Sequence, residues 1–176
     1  MTISVNQGAW RPGTNNYEYG FRSIPNIPIT NEPSDANGRR WAMLHDGNAY
    51  RMYFFKGSTD DTLYQFSWNG SSYPGTTTYR YGAPGWIRDL SVIGFPDDTD
   101  WSRWQMLHDG SAYRLYAFRY GSNDQIYQGA WNGSAYEYGH RSIPTLDLVG
   151  FPSTSDVGRP AMLHDERNYR FYVQTL

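Results

Sequence analysis

Met43-Leu44-His45-Asp46-Gly47, followed by Tyr50-Arg51-Met52-Tyr53, returns as Met106-Leu107-His108-Asp109-Gly110 with Tyr113-Arg114-Leu115-Tyr116. A third copy reads Met162-Leu163-His164-Asp165-Glu166 with Tyr169-Arg170-Phe171-Tyr172. The His and the Tyr stand five positions apart each time (45 and 50, 108 and 113, 164 and 169). A unit restated at such a period cannot bury its apolar face alone and is stabilised by stacking on its neighbours. The chain reads as one domain over residues 1–176, with repeats at approximately 1–56, 57–119 and 120–176.

The repeated unit reads as β structure. Aromatic residues make up 18% of the chain, with 16 Tyr, and no segment carries the apolar spacing of a helix. Short aromatic runs lie between clusters of Gly, Asn, Asp and Pro, the pattern of strands and turns. Each copy opens on Gln-x-x-Trp: Gln7 to Trp10, Gln65 to Trp68 and Gln128 to Trp131. Asn69-Gly70 and Asn132-Gly133 then predict type I′ hairpins, because both central residues of that turn need positive φ. Second strands end in Tyr17-Glu18-Tyr19-Gly20, Tyr79-Arg80-Tyr81-Gly82 and Tyr136-Glu137-Tyr138-Gly139. A long connection follows, with Pro33, Pro96 and Pro152 each ten positions before the Met of the repeated motif. That fixed spacing predicts an ordered segment.

The third strand ends in the His, and the Asp-Gly turn sends the chain back along the fourth. Alternation puts Tyr50, Met52 and Phe54 on one face and Arg51, Tyr53 and Phe55 on the other. With apolar surface on both faces the sheet is expected to be covered on both sides. Arg51, Arg114 and Arg170 then need acceptors. Twelve strands are expected in all, closed into a pseudo-threefold body with the N- and C-terminal strands paired, which hides two open edges. A β-trefoil-like arrangement fits that strand count; a small β-propeller-like ring is the alternative, although propellers usually have four or more blades.

Gln-x-x-Trp resembles the Gln-x-Trp of trefoil lectins, with one extra residue. Gly47-Asn48-Ala49-Tyr50-Arg51-Met52-Tyr53-Phe54-Phe55-Lys56-Gly57 resembles a hemopexin-type blade motif over about one tenth of the chain, but Met-Leu-His-Asp is foreign to that pattern. Neither likeness identifies the chain.

The function classes narrow by exclusion. A net charge of −2 with interspersed signs lacks the basic patch that nucleic acid requires. No apolar run is long enough for a membrane span. The start of the chain has no signal-peptide pattern, which leaves a cytoplasmic location as the default. There is no Cys, no glycine-rich phosphate loop and no His-Glu-x-x-His, and three copies of one His-Asp-Arg set do not supply the unlike roles that catalysis needs. An enzyme and a bound cofactor are therefore not expected.

The candidate ligand-binding residues are the tip sets His45, Asp46, Arg51, then His108, Asp109, Arg114, then His164, Asp165, Arg170, together with Trp10, Trp68 and Trp131 beside the turns. A donor, an acceptor and a charged fork could hold sugar hydroxyls, and an indole could stack on a sugar ring. Equally, Asp-Gly could simply build the turn while the aromatics fill a core. Convergence of His45, His108 and His164 on a metal would need the three tips to face one axis. The reading carried forward is a multivalent, lectin-like carbohydrate-binding module with up to three related sites and glycans as partners. The alternative is a protein-interaction or structural scaffold domain, metal-stabilised in one version.

Overall fold

A computed structural model describes residues 4–6, 8–11, 13–14, 16–19, 26–68, 79–82, 87–152, 155–164 and 168–175. In chain order its strands are β1 Ser4–Asn6, β2 Gly8–Arg11, β3 Asn16–Tyr19, β4 Asn26–Thr30, β5 Ala36–His45, β6 Tyr50–Lys56, β7 Thr62–Trp68 and β8 Tyr79–Tyr81. They continue with β9 Asp89–Ile93, β10 Thr99–His108, β11 Tyr113–Arg119, β12 Gln125–Trp131, β13 Ala135–Tyr138, β14 Thr145–Asp147, β15 Ser155–His164 and β16 Tyr169–Thr175. The described residues contain no helix, and so none long and apolar enough to cross a membrane.

The repeated motif folds into three hairpins with matching registers. Met43 faces Met52 across β5–β6, Met106 faces Leu115 across β10–β11, and Met162 faces Phe171 across β15–β16. In the first two the fourth strand runs straight on into the next antiparallel pair, β6–β7 and β11–β12. The long connection contributes β4 and β9, which pair in parallel with β8 and β13 and so tie one unit to the next. The recurring proline has a local role. Pro33, Pro96 and Pro152 each offer a carbonyl to a backbone N–H three residues on, that of Ala36, Thr99 and Ser155, at 3.0 to 3.1 Å. Each of these bonds closes the turn into the third strand.

Both sides of the β6 strand are covered, as its composition requires. Met52 and Phe54 pack with Ile27 and Ile29 of β4 and with Phe66 and Tyr79. On the opposite side Tyr53 and Phe55 join Leu63, Leu90, Trp101, Trp104 and Met106 in the largest core cluster. A third cluster sets Leu107, Tyr116 and Phe118 against Val157, Met162 and Phe171. The β10 strand thus packs between β5 and β15.

Three expectations are corrected. The repeats predict twelve strands, but sixteen are described: twelve form the main sheet, which curls into a half-barrel, and β2–β3 and β15–β16 form separate two-stranded sheets. The first and last strands are not paired there: β1 pairs with β4, and β16 with β15. Finally, Asn132-Gly133 is not a type I′ turn, because only Gly133 has positive φ. The Asn132 carboxamide accepts from the N–H groups of Ser134 and Ala135 at 2.9 and 2.8 Å and holds a four-residue loop instead. The Asn69-Gly70 turn lies outside the described residues.

Candidate functional site

At the first hairpin tip the Asp46 carboxylate accepts from the N–H groups of Asn48 and Ala49, at 2.9 and 2.7 Å, through one oxygen. This arrangement builds the turn, and only Gly47, with φ +89°, takes the left-handed conformation. The other carboxylate oxygen accepts from Arg51 and from the Tyr113 hydroxyl, the latter at 2.7 Å. Arg51 in turn reaches Gln65, whose amide oxygen accepts from Nη1 at 2.8 Å while its nitrogen donates to the Ile87 carbonyl at 3.2 Å. Asp46, Arg51 and Gln65 are all buried. A buried guanidinium is tolerable only when its donors meet acceptors in this way.

The second tip repeats the arrangement. Asp109 accepts from the backbone at Ser111 and Ala112, from Arg114, and from the Tyr169 hydroxyl at 2.7 Å. Arg114 reaches the Gln128 amide oxygen at 3.3 Å, and the Gln128 nitrogen donates to the Ile143 carbonyl at 3.0 Å. Each carboxylate therefore binds the Arg of its own hairpin and the Tyr of the next. Asp165 lies outside the described residues.

Burial pushes the Asp46 carboxyl up, but the Tyr113 hydroxyl, two backbone N–H groups and Arg51 outweigh it and hold the group well below the usual carboxylate range. Asp109 is held low in the same way: burial opposes, while Ser111, Tyr169 and Arg114 prevail. Burial also keeps the Tyr53 and Tyr136 phenols far above their ordinary value, so both remain neutral.

The histidines stand apart from these relays. Each packs at a tilt against the Tyr of its own hairpin, with ring centroids 4.4 Å apart for His45–Tyr50, 4.6 Å for His108–Tyr113 and 4.8 Å for His164–Tyr169. The Gly47 and Gly110 N–H groups donate to Nδ1 of His45 and His108 at 3.3 Å. No group of three His, Asp or Glu side chains that could hold a metal ion occurs among the described residues. The three-His arrangement is therefore not formed.

Two of the sequence candidates meet in one place. A cavity of about 200 Å³ between neighbouring hairpins is lined by Arg51, Tyr53, Gln65, Ile87, Leu90, Tyr113, Trp131 and Tyr136. Trp131 is half-buried, 5.3 Å from the Tyr136 ring. The related Trp68 packs on Tyr79 at 5.1 Å, and the Trp10 side chain lies outside the description. Reading turns and tips alone missed Gln65, Gln128 and the cross-hairpin role of Tyr113. The recurrence of Gln in Gln-x-x-Trp was the signal available. Larger and more open grooves run past Gly94-Phe95-Pro96 and Gly150-Phe151-Pro152, of about 420 and 780 Å³.

Comparison with protein-family models, curated proteins and solved structures finds no match for this chain.

Proposed function

We propose that the protein is a carbohydrate-binding module whose principal site is the cavity between β6 and β11. The observation that carries this reading is the indole of Trp131 sharing one cavity with the Arg51 guanidinium, the Gln65 carboxamide and the Tyr113 phenol. An aromatic body with a few convergent polar groups is the chemistry of a small polar ligand's pocket. At about 200 Å³ the cavity falls below the roughly 300–1,000 Å³ of pockets for drug-sized ligands, so it suits one sugar ring. Arg114, Gln128 and Tyr169 repeat the polar half of the set beside β16. Linked weak sites gain avidity, which gives the repetition a use.

A scaffold role is the second reading. It is favoured by one observation: Asp46, Arg51, Gln65 and Tyr113 already bond to each other. A glycan array followed by monosaccharide titration of tryptophan fluorescence separates the two. Carbohydrate binding predicts a hit that Trp131→Ala weakens at least tenfold, while Tyr120→Ala, at an exposed site outside the cavity, leaves it intact. A blank array together with a protein partner that free sugars do not displace would favour the scaffold.

A further inference from the structure

Neighbouring hairpins meet through two unlike faces. Leu44 and Tyr53 of the first hairpin pack with Trp104 and Met106 of the second, all in one buried cluster. Leu107 and Tyr116 of the second then pack with Met162 and Phe171 of the third. At the two ends of the series the same positions lie open. Leu163 and Tyr172, which correspond to Leu44 and Tyr53, are 52% and 50% exposed; Trp41, which corresponds to the buried Trp104, is 43% exposed. Tyr113 and Tyr169 each donate to a carboxylate of the preceding hairpin. The Tyr50 hydroxyl meets no carboxylate among the described residues.

The backbone shows the same incompleteness. The strands β6 and β11 pair on their far edges with β7 and β12, whereas β16 pairs only with β15 among the described residues. The strands β1 and β2 occupy the place of β7 and β12 in the first unit, and among the described residues they pair only with β4 and β3. An open edge of this kind is a template for another strand.

We propose that a second copy of this chain docks head to tail on the first. Its β1–β2 edge lies beside β16, and its Trp41, Met43 and Tyr50 cover Leu163 and Tyr172. The contact repeats the interface already present twice inside the chain, with the same residue types on each side. A head-to-tail contact forms a ring if its rotation closes and a filament if it does not. Two copies bring twice the three hairpins of one chain, a count within the roughly four to eight sheets of closed radial arrays. The assembly is therefore a closed pair.

Light scattering after size exclusion tests this, with sedimentation as a second measure. The wild-type chain is expected at twice its 20.3 kDa mass. Trp41→Glu and Leu163→Glu, both at exposed positions, should each shift it to the monomer while near-ultraviolet circular dichroism and the melting temperature of the monomer are retained. Mixing the two variants leaves one intact contact per pair and should restore a dimer containing one chain of each kind. A wild-type monomer at about 100 μM, or a dimer indifferent to both substitutions, would overturn the proposal. Long oligomers sensitive to both would overturn the closed pair.

Discussion

The Tyr113 hydroxyl donates to the Asp46 carboxylate at 2.7 Å, joining the start of one hairpin to the tip of the hairpin before it. Tyr169 and Asp109 do the same one unit later, also at 2.7 Å. The repeated motif thus clasps neighbouring units, with the Arg as the buried counter-charge of its Asp.

The clasp should fail in a graded way. Tyr113→Phe removes the hydroxyl that donates to Asp46 and accepts from Arg51 at 3.0 Å, and is expected to cost about 1.5–3 kcal/mol in urea unfolding. Asp46→Ala leaves the Arg51 guanidinium buried without its carboxylate and is expected to cost about 3–5 kcal/mol. Equal costs for the two would show that the ion pair with Arg51 stabilises the clasp no more than the tyrosine hydroxyl does.

Acid should weaken the fold through the same groups. Asp46 and Asp109 are held below the value of roughly 3.9 that a carboxyl has in the unfolded chain, so the unfolded state binds more protons as pH falls. Their stabilisation is complete above about pH 5 and is lost progressively below it, towards the depressed folded values. Urea midpoints between pH 2 and 7 should show this decline, shallower in an Asp46→Asn, Asp109→Asn variant. An unchanged slope would remove these two carboxylates as its cause.

Gly129 occupies the position that Phe66 holds one unit earlier. A Cβ there would lie 2.7 Å from both the Glu137 carbonyl and the Phe95 ring. Phe95 sits 5.5 Å from Tyr138, just as Phe66 sits 5.5 Å from Tyr81, so the long connection supplies the ring that the strand omits. Gly129→Ala should cost about 1–3 kcal/mol by overpacking. Phe95→Ala should relieve part of the larger cost of Gly129→Phe in a double-mutant cycle, and strict additivity would contradict this exchange.

Phe55 anchors the contact between the first two hairpins. It is fully buried, edge-on to Trp101 and Trp104 with centroids 5.1 and 4.7 Å away, and Arg40 lies 4.2 Å above its ring. Phe55→Ala is expected to cost about 3–5 kcal/mol in chemical unfolding, more than Phe→Ala at an exposed site such as Phe151.

The local rules that act along a few residues were decided by the sequence alone. Alternation in Tyr50 to Phe55 set two apolar faces, Asp-Gly set the hairpin, and the recurring Pro marked an ordered segment before the third strand. All of these depend on spacing within one unit, which the chain states three times, with Asp165-Glu166 in place of Asp-Gly in the third. The structure decided what one unit does to another. Which Asp receives Tyr113, why Gln65 recurs, how Phe95 replaces a missing ring at Gly129, and that the first strand pairs with β4 and the last with β15 all rest on contacts between segments. Periodicity fixes the side of a strand that a residue occupies, but it carries no information about which strand will face it. The curvature of the packed sheets sets that choice.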